Sequence, residues 1–259
     1  MMSTDTQQNL LKLLRSTDEK SVAVGLAIHQ TTPTPKSTAA LVHYQELYEA
    51  CFKVSLHSLE VQHLVALNAV SLDISNQQLE HLPSKIGWLN HLEILSAHNN
   101  RLTQLPPEIG QLTHLQNLSL GHNQLTHLPK ELQQLTRLHG ISLGNNQFEQ
   151  FPQEITTING LFMLDLADNQ ITQLPEELGQ LTQLQGLNLE NNQLTHLPKE
   201  IGTLKHLKVL LLQGNKLTNL PEEIQHLTQL AYMTVKDNAI TESQQAIIQG
   251  WLPNCNIEW

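Results

Sequence analysis

From Ala69 to the C-terminus, apolar and polar residues recur with a period of 23 positions. Aligned on asparagine, successive units read LEILSAHNNRLTQLPPEIGQLTH from Leu92, LQNLSLGHNQLTHLPKELQQLTR from Leu115 and LHGISLGNNQFEQFPQEITTING from Leu138, and further units start at Leu161, Leu184 and Leu207. An imperfect first unit starts at Ala69 and a truncated one at Leu230, so eight repeat strands are expected. At the fourth and sixth positions of each unit, Leu118 and Leu120 for instance, apolar residues flank a polar one, the period-two signature of a short strand with one buried face. Each strand can pair only with its translated copy. The sheet must therefore be parallel and in register, and equivalent leucines must stack into columns along the axis.

The ninth position is asparagine in Asn100, Asn123, Asn146, Asn169, Asn192, Asn215 and Asn238. It follows the strand, where the chain turns inward and leaves backbone groups unpaired, and a primary amide supplies both donor and acceptor. A ladder of stacked asparagines is predicted, broken in the first unit by Gln77. The returning half reads LPxxIGxL. Its prolines, from Pro83 to Pro221, set an extended approach to a short helical turn and exclude a second sheet. Helical turns are wider than strands, so the stack must curve. The expected fold is an α/β solenoid, a curved horseshoe with a parallel concave sheet of about eight strands. Phe148 and Phe151 replace leucines without changing the spacing and are assigned to the core columns of Leu125 and Leu128.

Three segments are expected: a helical N-terminal region or cap over residues 1–68, the repeats over 69–241 and a C-terminal cap over 242–259. In the first, NLLKLLR reads as a helix, Ser16 and Glu19 as a capping box leading into VAVGLAI, TTPTPKS as a connector and ALVHYQELYEACF as a further helix. Leu41, Tyr44, Leu47, Tyr48, Cys51 and Phe52 fall at helical spacing, and Leu56, Leu59 and Leu64 continue toward the first unit. A separate binding domain over this region is the alternative to a cap. At the other end, Cys255, Ile257 and Trp259 alternate as a closing strand, and Trp251 can cover the last leucine layer.

Composition narrows the function classes. With 24 acidic residues against 14 Lys+Arg and a net charge of −10, a phosphate backbone is disfavoured as the principal partner, so no nucleic acid is expected. No run approaches 18 apolar residues and no secretory signal is evident, so neither membrane insertion nor classical export is expected. Two cysteines make no disulfide framework. Eight stacked strands would hold them about 34 Å apart at strand spacing, beyond the ~7 Å reach of a bridge, and free buried thiols in the cytoplasm are the expected state.

The segment LQGLNLENNQLTHLPKEIGTL resembles the 23-residue class of leucine-rich repeats found in bacterial proteins and in intracellular Ras-associated scaffolds, over roughly residues 69–259. The ending AIIQGWLP followed by NCNIEW is similar to the closure of bacterial members. The resemblance implies a protein-binding module that uses its concave face.

That face is built from side chains without core duties. The third-position column reads Ser71, Ile94, Asn117, Gly140, Met163, Gly186, Val209, Tyr232; the fifth reads Asp73, Ser96, Ser119, Ser142, Asp165, Asn188, Leu211, Thr234; the seventh reads Ser75, His98, Gly121, Gly144, Ala167, Glu190, Gln213, Lys236. Small residues make a shallow trough in the middle. Val209, Leu211 and Tyr232, with Met163 nearby, form an apolar patch toward the C-terminal half, the kind of feature that marks interaction sites. The partner-binding residues inferred are Ile94, His98, Met163, Asp165, Asn188, Glu190, Val209, Leu211, Gln213, Tyr232, Thr234 and Lys236.

Catalytic, cofactor and metal sites are not expected. There is no nucleophile elbow, phosphate loop, paired-cysteine motif or HExxH. His81, His127 and His196 share a repeat position but belong to nonadjacent units, which cannot meet at zinc-ligand distances of about 2 Å. Asp165, Asp168 and Glu190 read as decoration of the polar face. The leading expectation is a monomeric cytoplasmic scaffold for another protein. The alternatives are an exported bacterial effector or adhesin binding a host protein, and a structural module that self-associates weakly through the apolar patch.

Overall fold

The computed structural model describes residues 4–259. Nine three-residue strands form one parallel sheet in strict sequence order: β1 Ser71–Asp73, β2 Ile94–Ser96, β3 Asn117–Ser119, β4 Gly140–Ser142, β5 Met163–Asp165, β6 Gly186–Asn188, β7 Val209–Leu211, β8 Tyr232–Thr234 and β9 Asn256–Glu258. Register follows the repeat, with Leu72 against Leu95, Leu95 against Leu118, and so on to Met233 against Ile257. Eight strands come from the repeats, and the ninth is the closing segment.

Inward side chains form the predicted columns in one continuous core, which also takes in Phe148 and Phe151. Between strands, each full unit returns through a five-residue 3-10 turn, such as Pro107–Gln111 or Lys199–Thr203, entered from a proline with extended ψ. The turns pack closely where the unit carries glycine. A Cβ on Gly202 would stand 2.4 Å from the Glu223 carbonyl oxygen, and one on Gly110 equally close to that of Glu131.

The asparagine ladder forms as predicted. In Asn146, Oδ1 accepts from the Leu125 amide of the preceding unit at 2.9 Å, while Nδ2 donates to the carbonyls of Leu120 and Leu143. Gln77 cannot reproduce this; its side chain donates to Ser75 and its amide is taken by Asn100 of the next unit. The residue before the ladder holds a left-handed backbone in all eight units: Asn76, Asn99, His122, Asn145, Asp168, Asn191, Gly214 and Asp237, with φ between 51° and 68°. That conformation explains the run of Asn and Asp there, since short polar side chains tolerate it.

The N-terminal region folds as four helices, α1 Thr4–Leu14, α2 Glu19–Thr31, α3 Pro35–Phe52 and α4 Val61–Asn68. Leu10, Leu14, Val22, Tyr44, Leu47, Cys51, Leu64 and Leu67 join the repeat core. Asn68 ties the layers together: it accepts from the Tyr44 hydroxyl and donates to the carbonyls of Leu14 and Ser16. The capping box expected at Ser16 and Glu19 does not form. Asp18 caps α2 instead, accepting from the Ser21 amide and hydroxyl, because Ser16 is still engaged by the end of α1 through its bond to Leu13. The connector is also shorter than TTPTPKS, since Thr34 and Ser37 make a capping box and Pro35 opens α3. At the C-terminus, α5 Glu242–Trp251 and β9 close the stack, with Ile248, Leu252 and Cys255 buried and Trp251, Ile257 and Trp259 packed against the last layer.

Replacing Asn146 with Ala should destabilise the fold by about 2–4 kcal/mol, since it strands backbone donors and acceptors in a dry interior. Asn238→Ala at the partly exposed end should cost less, as measured by urea unfolding. Cys51 and Cys255 are buried free thiols, and desolvation raises them to about 12 and about 11. Neither should react with a disulfide reagent at pH 8 in the folded chain. Because the folded values lie above the unfolded ones, the thiols' contribution to stability is complete below about pH 9 and is lost as pH rises beyond it.

Candidate functional site

On the concave face the central small residues and the exposed apolar residues belong to one feature. A groove of about 400 Å³ runs from Ile94 on β2 to Leu211 on β7, floored by Asn117, Ser119, Gly140, Ser142, Gly186 and Asn188. Met163 stands in it, 57% exposed, the most exposed large apolar side chain described. Two glycines give the groove its shape by leaving room for the preceding strand's side chain. Met163 leans over Gly186, its Cε 2.6 Å from where a Cβ would be, and Asn117 leans over Gly140 in the same way at 2.8 Å.

Of the twelve inferred residues, the groove brings together Ile94, Met163, Asp165, Asn188, Val209 and Leu211. Ile94 is 42% exposed, while Val209 and Leu211 are half-buried walls. Asp165 is held in place by the Ser142 hydroxyl at 2.9 Å and the Ala167 amide at 3.2 Å. The Asn188 side chain accepts from the Glu190 amide. Outside the groove, Gln213 donates to Asp237 and Lys236 is exposed. Tyr232 lies beside Val209 in the register of β7 and β8 and is half-buried, outside the groove lining. Its hydroxyl bonds Glu258 of the closing strand, and this bond, more than desolvation, holds the phenol above its usual pKa.

Thr234 is corrected outright. It is 3% exposed, and its hydroxyl lies between the Leu212 amide at 3.3 Å and Glu190 at 3.4 Å, so it presents nothing to a partner. The Glu190 side chain, reaching across from the sixth unit, is the contact that distinguishes Thr234 from the other fifth-position residues.

His98 sits at the opposite end. Its Nδ1 lies 2.8 Å from Ser75 Oγ and 3.0 Å from Ser96 Oγ. Asp73 bonds the hydroxyl and amide of Ser75, which holds its carboxyl below the usual value. The chain of bonds therefore runs acid to serine to histidine. Nucleophile activation requires the acid on the histidine instead. Among the described residues, no three His, Cys, Asp or Glu side chains converge to hold a metal ion. Asp165, Asp168 and Glu190 are each held by separate polar neighbours, Asp168 by Asn145 and Asn191.

The family model described as leucine-rich repeat region matches residues 46–147 and 176–246, about two thirds of the chain, and a second leucine rich repeat model matches 136–194. The chain belongs to the leucine-rich-repeat family. Among solved structures it is 33% identical to a leucine-rich-repeat protein of Leptospira interrogans, with a TM-score of 0.50 over 73% of this chain and 60% of that one. It is 29% identical to the ectodomain of a plant membrane receptor kinase from Arabidopsis thaliana, solved in complex with Casparian strip integrity factor 2, with a TM-score of 0.64 over 75% of this chain and 24% of that one. An internalin from Listeria monocytogenes is 22% identical, with a TM-score of 0.57 over 75% of this chain and 62% of that one, and shows the fold alone. The chain thus spans less than two thirds of the length of each of these proteins. A search of curated protein sequences finds no match.

In this leucine-rich-repeat face the reading of columns missed one exposed group. Phe162, 37% exposed, stacks on His139 with ring centroids 5.1 Å apart, beside Met163. Both occupy the second position, on the shoulder of the strand, and their signal in the sequence was an aromatic pair at the repeat spacing. Glu258→Gln should lower the Tyr232 pKa toward 10, because the carboxylate that favours the protonated phenol is gone. NMR titration of labelled tyrosine reads this directly.

Proposed function

We propose that this leucine-rich-repeat chain is a protein-binding scaffold that receives a partner polypeptide on its concave face. The observation that carries the reading is the continuous groove from Ile94 to Leu211. It is walled by apolar side chains that no core contact requires, and exposed apolar surface of this kind is retained for partners. The contact set is Ile94, Met163, Asp165, Asn188, Val209 and Leu211, with His98, Glu190, Gln213, Tyr232 and Lys236 along the margins. The leucine-rich-repeat fold is typically a non-enzymatic interaction scaffold, and the Arabidopsis neighbour was solved with its bound factor.

Residues 1–68 act as the N-terminal cap, 69–241 as the binding solenoid and 242–259 as the C-terminal cap. No helix among the described residues is long and apolar enough to cross a membrane. Two buried free thiols fit a reducing compartment, and we place the scaffold in the cytoplasm as a monomer.

A photo-crosslinking residue installed at Met163 or Leu211 should yield a discrete adduct with a cellular protein, whereas one at the exposed Thr172, away from the strands, should not. Leu211→Glu should abolish capture of the same protein with the melting temperature nearly unchanged. Equal adducts from both faces, or capture indifferent to Leu211→Glu, count against the concave site.

A further inference from the structure

Resting on that reading, we infer that Met163 is a redox modification site within the groove, where a hydroperoxide converts the thioether to a sulfoxide and so releases the partner protein. The first argument is which sulfurs can react. The chain has four methionines and two cysteines, and Met1 and Met2 lie outside the described residues. Met233 is fully buried. Cys51 and Cys255 are buried as well, and desolvation holds both as thiols, which leaves little of the thiolate that peroxides attack. Met163, at 57% exposed, is the one described sulfur residue that solvent reaches freely, and exposure governs oxidation of a thioether.

The second argument is where the sulfur stands. Its Sδ and Cε lie 2.7 and 2.6 Å from where a Cβ on Gly186 would be, so the thioether occupies side-chain space on the next strand. The other outward residue of β5 leans the opposite way. Asp165 accepts from Ser142 of β4, and its carboxylate lies 3.1 Å from where a Cβ on Gly144 would be. The sulfur is thereby carried away from the carboxylate toward Val209 and Leu211, which pair one strand further on. An oxygen added to it enters the apolar side of the groove.

The chemistry needs only the hydroperoxide. A sulfur lone pair bonds the terminal peroxide oxygen as the O–O bond breaks, and the departing oxide takes the proton from the new S–OH group. Sulfur is oxidised to the sulfoxide while the peroxide is reduced to an alcohol, or to water when it is hydrogen peroxide. A flexible apolar side chain becomes a polar one. A partner that packs on Met163 must then strip water from an oxygen it was not built to bond.

The test uses the full chain with the photo-crosslinking residue at Leu211 and, as probe, the purified cellular protein that forms that adduct. Hydrogen peroxide is applied to this chain alone until half of Met163 is oxidised, and catalase removes it before the probe is added in limiting amount. Peptide mapping by mass spectrometry should find the added oxygen on Met163 and none on Met233. After irradiation, Met163 sulfoxide should be depleted about tenfold or more in the adduct relative to the uncrosslinked chains, as expected when an interface takes in an unbonded polar group. Sulfoxides of Met1 and Met2 should be spread evenly between the two fractions. The two epimer-specific methionine sulfoxide reductases together should restore the lost adduct. Without peroxide, Met163→Gln should lose the adduct with thermal unfolding unchanged.

Met163 that resists peroxide as Met233 does, equal Met163 sulfoxide in both fractions, or an adduct unmoved by Met163→Gln overturns this inference and leaves the concave site standing. Absence of any Leu211 adduct from the untreated chain overturns the concave site itself.

Discussion

The ninth-position amide is the interaction on which the architecture depends. Each asparagine accepts from an amide of the preceding unit and donates to a carbonyl of that unit as well as to its own, as Asn146 does with Leu125, Leu120 and Leu143. The bonds are made behind three-residue strands, which alone would be too short to hold a sheet. The ladder fixes where the chain leaves the sheet, and the left-handed residue just before it fixes the direction. Once those are set in every unit, the leucine columns can fall only into register, and the outward residues can fall only into a continuous face. The site therefore inherits its order from an amide that never touches a ligand.

This division explains what could be read from the sequence. Whatever repeats was legible: strand, ladder, proline and core assignments all rest on one translated environment, and Phe148 and Phe151 could be placed because their neighbours at the same position were leucines. What ends the repetition was less legible. Thr234 looks like any fifth-position residue, yet the Glu190 carboxylate reaches its hydroxyl, and Tyr232 meets Glu258, which lies on the closing strand outside the repeat. The cap of α2 moved to Asp18 because the end of α1 had already committed Ser16, a competition between two elements that no local motif records.

The groove lies between these cases. Its small residues and its apolar ones were each visible as entries in columns, but their union depends on how side chains lean from one strand to the next. Met163 and Asn117 reach over glycines, so that two features read as separate, a central trough and a C-terminal patch, become a single channel. Column reading treats every side chain as standing upright on its own strand. A flexible side chain beside a glycine breaks that assumption, and it did so at two places in one face.

Glycine also shapes the opposite side. Gly87, Gly110, Gly179 and Gly202 let the next 3-10 turn approach within contact of their Cα, whereas Gln133, Thr156 and Gln225 hold the same position with side chains. A cleft of about 470 Å³ opens between the fourth and fifth units, lined by Gln150, Phe151 and Gln153 on one side and Thr172 to Pro175 on the other. Of the three units that lack this glycine on the outer side, those of Gln133 and Thr156 carry Gly121, Gly140 and Gly144 on the inner one, whereas that of Gln225 carries Val209, Leu211 and Gln213 there. Bulk is thus added outside and removed inside in the third and fourth units, but not in the seventh. In a stack whose curvature is set by the difference between outer and inner spacing, that exchange acts on those two units, immediately before the strand that carries Met163 and Asp165.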